Sequence, residues 1–239
     1  MGAEYSQGQV CDFEVITKGG VLKPYEAAGY RDKFSYSTSS SSPGFFPLEN
    51  VLPALAKWFN EPQTFLEVMA GNGFQTNKVY QVWKTTGCVA SYIATDLYEH
   101  KPCDEFVAKN DLFPVIPHLP SEQAVHQYGS SADVLVMISP PPYANLCDYL
   151  AIREFELIHS QLESKRTRYL AFFGELGAAD GSKGLYNYLI NSKPNISTRC
   201  SWKLVQRDLI VLRQDAFGEK AKKEAFLFQL LLPSSLPSQ

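Results

Sequence analysis

The chain has 5 cysteines but no CxxC pair, and Cys11, Cys88, Cys103, Cys147 and Cys200 are scattered and odd in number. That spacing argues against a disulfide framework and against a cysteine-based zinc site. The 4 histidines, His100, His118, His126 and His159, form no cluster at metal-ligand spacing, so no metal is expected. Positive charge is scarce too. Lys+Arg 22 against Asp+Glu 25 leaves a net charge of −3, which is no electrostatic footprint for duplex nucleic acid. No run approaches the roughly 18 apolar residues of a membrane-spanning helix. The N-terminus also lacks the basic-then-apolar texture of a signal peptide. These absences predict a cytoplasmic protein with buried, reduced thiols. Two short matches have little context. Met1-Gly2 followed by Ser6 is the minimal myristoylation pattern, and Asn195-Ile196-Ser197 is a glycosylation triplet with no secretory signal before it.

What the chain does have is core material: 45% apolar residues against 20% charged, too much apolar content for global disorder. Residues 1–44 read as a separate N-terminal arm carrying Tyr25, Tyr30 and Tyr36. The arm ends in the tract Ser37-Thr38-Ser39-Ser40-Ser41-Ser42-Pro43-Gly44, a hinge that can hold no core. The remainder, 45–239, reads as one domain. From Pro47 to Phe59, Leu48, Val51, Leu52, Leu55 and Trp58 recur at helical spacing and predict an amphipathic helix. Strands are predicted over Thr64–Met69, Cys88–Thr95, Val134–Ile138 and Tyr169–Phe173. Helices are predicted over Gln75–Lys84, Ser121–Tyr128 (with Ser121 as N-cap), Asp148–Leu162 and Gly184–Asn191. Val134–Ile138 is an unbroken apolar run, as a strand covered on both faces requires. Two β-rich runs, Trp202–Leu212 and Ala225–Leu232, flank a charged loop from Gln214 to Glu224 and predict an antiparallel pair. The alternation implies an α/β, Rossmann-like, doubly wound and mostly parallel sheet with that pair at its end.

Three features carry chemistry. In Glu67-Val68-Met69-Ala70-Gly71-Asn72-Gly73 an acid within the first strand precedes a glycine turn that opens a helix. Such a turn lets a ligand approach the backbone closely, and the helix N-terminus favours polar or anionic groups. A dinucleotide fingerprint would place a third glycine where Thr76 stands, which weakens a nicotinamide dehydrogenase reading. Asp96 ends the next strand, where a carboxylate beside the first loop can accept from both hydroxyls of a ribose. Ser139-Pro140-Pro141-Pro142-Tyr143 follows the strand Val134–Ile138; a proline run breaks the chain at the carboxyl edge, where open α/β sheets bind ligands. Glu175, at another predicted strand end, faces the same edge as a possible base or substrate contact.

This ordered set, over residues 45–232, resembles the class I methyltransferases that use S-adenosylmethionine. The resemblance implies that Glu67, Ala70, Gly71, Asn72, Gly73 and Asp96 bind S-adenosyl-L-methionine. It implies that Ser139, Pro140, Tyr143 and Glu175 serve catalysis on a methyl acceptor, such as an amino group of a nucleobase or small molecule. Amino-methyltransferases of this class carry (Asp/Asn/Ser)-Pro-Pro-aromatic at the loop; with the extra proline here, either Ser139 or Tyr143 is in register. The nearer resemblance is to a group of poorly characterised methyltransferase-like proteins with a Pro-Pro-Pro loop after the fourth strand, through Phe173-Gly174-Glu175-Leu176-Gly177, Asp180-Gly181 and Ser201-Trp202-Lys203-Leu204. The alternative expectation is a binding module that keeps the fold without turnover. Tyr36 is a candidate lid over the cofactor, and Lys220, Lys222 and Lys223 a candidate phosphate contact.

Overall fold

The computed structural model describes residues 15–17, 20–22, 51–99, 112–140, 146–162, 166–176, 180–191, 199–214 and 220–232. The chain divides into two compact units, 1–45 and 46–239. In the first, β1 (Val15–Thr17) pairs antiparallel with β2 (Gly20–Leu22).

The second unit is built on a seven-stranded sheet. Its elements in chain order are α1 (Leu52–Leu55), β3 (Gln63–Val68), α2 (Phe74–Thr85), β4 (Val89–Thr95), β5 (Val115–Ile116) and α3 (Ser121–Tyr128). Then come β6 (Val134–Ile138), α4 (Cys147–Gln161), β7 (Arg168–Gly174), α5 (Lys183–Asn191), β8 (Ser201–Gln214) and β9 (Lys220–Leu231). The strand order is β5-β4-β3-β6-β7-β9-β8. β5, β4, β3, β6 and β7 are parallel, and β9 runs antiparallel to both β7 and β8. This is a doubly wound, Rossmann-like α/β sheet whose order reverses between β3 and β6. The carboxyl ends of those two strands therefore flank the crevice where such sheets bind ligands.

The period-2 alternation of strand side chains divides the core between the two faces. Leu66, Val68, Leu135, Met137, Leu170 and Phe172 point to the face covered by α3, α4 and α5. Phe65, Val134, Val136, Ile138, Ala171 and Phe173 point to the other, beneath α1 and α2. All five residues of β6 are buried, as its unbroken apolar run requires. Among the described residues no helix is long and apolar enough to cross a membrane, and no His/Cys/Asp/Glu group could hold a metal ion. Cys88, Cys147 and Cys200 are free thiols.

Several local expectations are corrected. The helix expected over 47–59 is formed only at Leu52–Leu55 within the described residues. Val51, Leu55 and Phe59 do face the core, but Lys57 and Trp58 donate their N–H groups to Ala54 and Leu55, three residues back, tightening the chain into turns. Ser121 is not an N-cap. Pro120 holds that position, and the Ser121 hydroxyl instead donates to the Cys147 carbonyl at 2.9 Å, tying α3 to the start of α4. The charged loop expected from Gln214 to Glu224 is mostly strand: Gln214 pairs with Lys220 in register, so Lys220, Lys222 and Lys223 belong to β9. β5, two residues between Pro114 and Pro117, was not foreseen.

Candidate functional site

The turn from β3 into α2 is backbone bent the hard way. Met69, Gly71 and Gly73 have φ of 60°, 61° and 81°, in the left-handed region that side chains other than glycine's resist. Bonds from outside the turn hold it: the Ala70 N–H donates to Thr95 O at 3.0 Å, and Phe113 N–H donates to Gly73 O at 3.1 Å. The Asn72 carboxamide accepts from Phe74 N–H at 3.1 Å, occupying one donor of the first turn of α2.

Asp96 meets this turn directly. Its Oδ2 accepts from Gly71 N–H at 2.8 Å, and its Oδ1 accepts from Tyr98 N–H at 2.9 Å. The parallel pairing of β3 and β4 ends both strands at the same edge, so the loop and the acid converge there. Leu97 and Tyr98, directly beyond Asp96, are 42% and 41% exposed, an apolar surface beside the acid that no motif or periodicity marks.

Glu67 lies beneath the turn, fully buried. Its Oε1 accepts from the Thr76 hydroxyl at 3.0 Å and its Oε2 from the Tyr92 hydroxyl at 2.6 Å. Thr76 stands where a third fingerprint glycine would permit close helix–strand packing, and here a Thr–Glu hydrogen bond fills that contact. Burial pushes the Glu67 carboxyl up to about 7 from 4.5, against the lowering effect of its Tyr92 and Thr76 hydrogen bonds and with a small push from Asp96. Between those values the folded state binds the proton and the unfolded state does not. The stability this group contributes is thus present below about pH 4.5 and lost as pH rises through about 7, on the order of 3 kcal/mol in all. Glu67→Gln is neutral throughout. Thermal melts at pH 5 and pH 8 should show the variant gaining on the wild type as pH rises; a constant difference would mean that Glu67 is ionised in the fold across that range. His159, held down to about 4 chiefly by burial, has the opposite slope, but it is common to both proteins and drops out of the difference.

The third feature is at the end of β6. Ser139 has φ of 49°, and its N–H donates to Phe173 O at 2.7 Å. Its hydroxyl donates to Asp180 Oδ1. Pro140 is buried and its carbonyl accepts from Gly181 N–H at 2.7 Å. Glu175 is half-buried beside them, its N–H donating to Asp180 Oδ2 at 2.7 Å. Ser139 and Glu175 thus meet on one carboxylate, that of Asp180, with Pro140 held by the next residue, Gly181; sequence reasoning gave Asp180 no role. Asp148 was missed as well. It is buried, accepts from Ser182 N–H at 2.5 Å and Tyr149 N–H at 2.7 Å, and is raised by burial. A single Asp in the first turn of a helix, as Asp148 is, or in a polar loop, as Asp180 is, has no pattern that distinguishes a buried hub from a solvated acid. Pro141, Pro142 and Tyr143 lie outside the described residues, as do Gly2, Tyr36 and the triplet Asn195-Ile196-Ser197.

Neither a protein-family model nor a curated protein sequence matches the chain. Solved structures do match in backbone path. A candidate tRNA (m1A22) methyltransferase from Streptococcus pneumoniae, in complex with S-adenosyl-L-methionine, is 11% identical with a TM-score of 0.41, over 74% of this chain and 71% of that one. An rRNA methylase from Streptococcus thermophilus is 16% identical with a TM-score of 0.40, over 78% and 96%. A candidate RNA methyltransferase from Pyrococcus horikoshii is 14% identical with a TM-score of 0.42, over 79% and 83%. The likeness is a distant one of backbone path; the sheet order and the site of this chain rest on its own strand pairing and hydrogen bonds.

Proposed function

We propose that the protein is a cytoplasmic methyltransferase that binds S-adenosyl-L-methionine at the ends of β3 and β4 and its methyl acceptor beside the end of β6. The observation that carries the reading is the bond from Gly71 N–H to Asp96 Oδ2, which joins the glycine turn and the strand-end acid into one surface. The residues fit the cofactor. A carboxylate oxygen accepts more than one hydrogen bond, so a ribose diol can share Asp96 with the backbone. Leu97 and Tyr98 offer an apolar face for the adenine, and the position of a Cβ on Gly71 is open space, as a ligand against the loop requires. Glu67, with no exposed surface, supports the turn from below through Thr76.

When bound, the cofactor supplies a methyl group on a positively charged sulfur. The Gly71 turn and Asp96 would hold the cofactor, whose methyl would pass to the acceptor's lone pair with the carbon–sulfur pair returning to sulfur, and an N–H acceptor would release its proton to water. The chain needs chiefly to position the two partners, and Ser139 and Pro140 lie at the edge where that alignment takes place. We assign the acceptor as an amino group, which the serine oxygen can receive as a hydrogen-bond donor.

The test is calorimetric titration with S-adenosylmethionine, S-adenosylhomocysteine and NAD in parallel. Binding of the first two and not of NAD is expected. Asp96→Asn should weaken S-adenosylhomocysteine by about one to two decades, roughly 1.5–3 kcal/mol for charge-assisted bonds to a ribose. Unchanged affinity in a folded Asp96→Asn variant would remove the ribose assignment. Binding without transfer to any amine would favour the non-catalytic module.

A further inference from the structure

We propose that Asp180 is a positioning residue of this site: by accepting the hydrogen bond of the Ser139 hydroxyl it turns the serine oxygen's lone pairs toward the methyl-transfer position, making Ser139 an obligate acceptor there. The inference rests on the methyltransferase reading and deepens it.

Four observations converge on Asp180. It is buried, and its two oxygens divide their work between strand ends, Oδ1 receiving the Ser139 hydroxyl at the end of β6 and Oδ2 receiving Glu175 N–H at the end of β7. Gly174 has φ of 154°, and a Cβ there would stand 2.7 Å from Asp180 Cβ and 2.9 Å from its Oδ2, so a side chain at 174 would displace the carboxylate. Gly181 N–H holds the Pro140 carbonyl at 2.7 Å, fixing Pro140 directly after Ser139. Ser139 itself keeps a left-handed φ of 49°, a conformation retained in a non-glycine residue only when its surroundings enforce it.

A hydroxyl alone is ambiguous, because it can rotate to donate or to accept. A carboxylate removes the ambiguity, since an ionised carboxyl only accepts and a charge-assisted bond is about twice as strong as a neutral one. With its proton committed to Asp180, Ser139 Oγ can only accept from whatever lies before it. It therefore favours a nucleophile bearing N–H over an oxyanion. Asparagine at 180 inverts the pair: if its oxygen keeps Glu175 N–H, its amide donates to Ser139 Oγ and releases the hydroxyl proton toward the site.

The experiment needs no identified acceptor. Sinefungin has an amine-bearing carbon in place of the methylsulfonium, so its ammonium occupies the transfer position, whereas S-adenosylhomocysteine has no group there. Calorimetry on the full chain should show wild type preferring sinefungin by about tenfold or more. The preference should fall to near unity in Asp180→Asn and in Ser139→Ala, with no further loss in the double variant. S-adenosylhomocysteine affinity should stay within about threefold throughout. Ser139→Ala tests whether the serine oxygen is the acceptor; should Asp180→Asn not fold, Gly174→Ala, whose Cβ would displace the Asp180 carboxylate, tests the orientation and should lose the preference likewise. A preference that survives either variant, or is absent from wild type while S-adenosylhomocysteine binds, overturns the inference and leaves the cofactor reading intact. Failure to bind either compound overturns both.

Discussion

Gly73→Ala is expected to lower the melting temperature by on the order of 10 °C, while Gly71→Ala is expected to remain folded and lose the ligand. The two glycines share a turn and a positive φ but have different surroundings. A Cβ on Gly73 would lie 2.2 Å from the Phe113 backbone oxygen and 3.0 Å from Val115 Cγ2. The carbonyl cannot yield without moving the segment that leads into β5. The left-handed φ of 81° costs a non-glycine residue about 1–2 kcal/mol and the overpacking about 1–3 more. For a chain of this size each kcal/mol is worth roughly 2–4 °C. A Cβ on Gly71, by contrast, has no atom within 4 Å. Alanine there incurs only the φ cost, about 1–2 kcal/mol, and sets a methyl group where the cofactor is proposed to lie. Melting curves and S-adenosylhomocysteine titration on both variants separate the effects. Wild-type affinity in Gly71→Ala would mean that the open side of the turn does not face the ligand.

This contrast shows what a sequence can and cannot disclose. Both glycines were legible as a turn between strand and helix, because apolar periodicity changes from 2 to 3.6 on either side of them. Which one is pressed against backbone and which is open was not, because Phe113 comes from a distant proline-rich stretch with no periodicity to place it. Strand β6 was readable to the residue, since five consecutive apolar side chains have no other economical use. The β8–β9 hairpin was underestimated for the converse reason. Lys220, Lys222 and Lys223 have the composition of a loop, yet long-range pairing with β8 holds them in the ladder. The place of Asp96 beside the glycine turn was legible because it follows from strand order, a global regularity. The contact of Asp180 with Ser139 was not legible: it spans 41 positions of chain, which no local pattern records.

The opposite edge of the sheet is expected to govern stability alone, and Asp133→Asn should show it by lowering stability about 3–5 kcal/mol without altering S-adenosylhomocysteine affinity well below the transition. Asp133 sits before β6 and joins the starts of three strands. Its Oδ1 accepts from Arg168 Nη1 at 2.6 Å, its Oδ2 accepts from Thr64 N–H at 3.0 Å, and its own N–H donates to Thr64 O at 2.8 Å. Arg168 is buried, and its Nε donates to His159 Nδ1 at 3.2 Å. Because a guanidinium only donates, His159 must carry its proton on Nε2, which meets the Gly129 carbonyl at 3.0 Å. Burial first, and then the Arg168 charge, push this imidazole down to about 4, so at pH 7 it is neutral and can accept from Arg168, while Asp133 supplies the counter-charge. Asparagine can still accept from Thr64, but the guanidinium is left buried opposite a neutral amide, and removing one partner of a buried pair typically costs the amount stated above. Arg166, which also reaches Asp133 Oδ2 at 3.3 Å, is 72% exposed, and Arg166→Ala should cost less than about 1 kcal/mol. Denaturant or thermal unfolding of the two variants beside wild type decides the matter. Equal, small effects would place the Arg168 bond with ordinary surface ion pairs, and a loss of ligand affinity in folded Asp133→Asn would show that the two edges of the sheet are coupled.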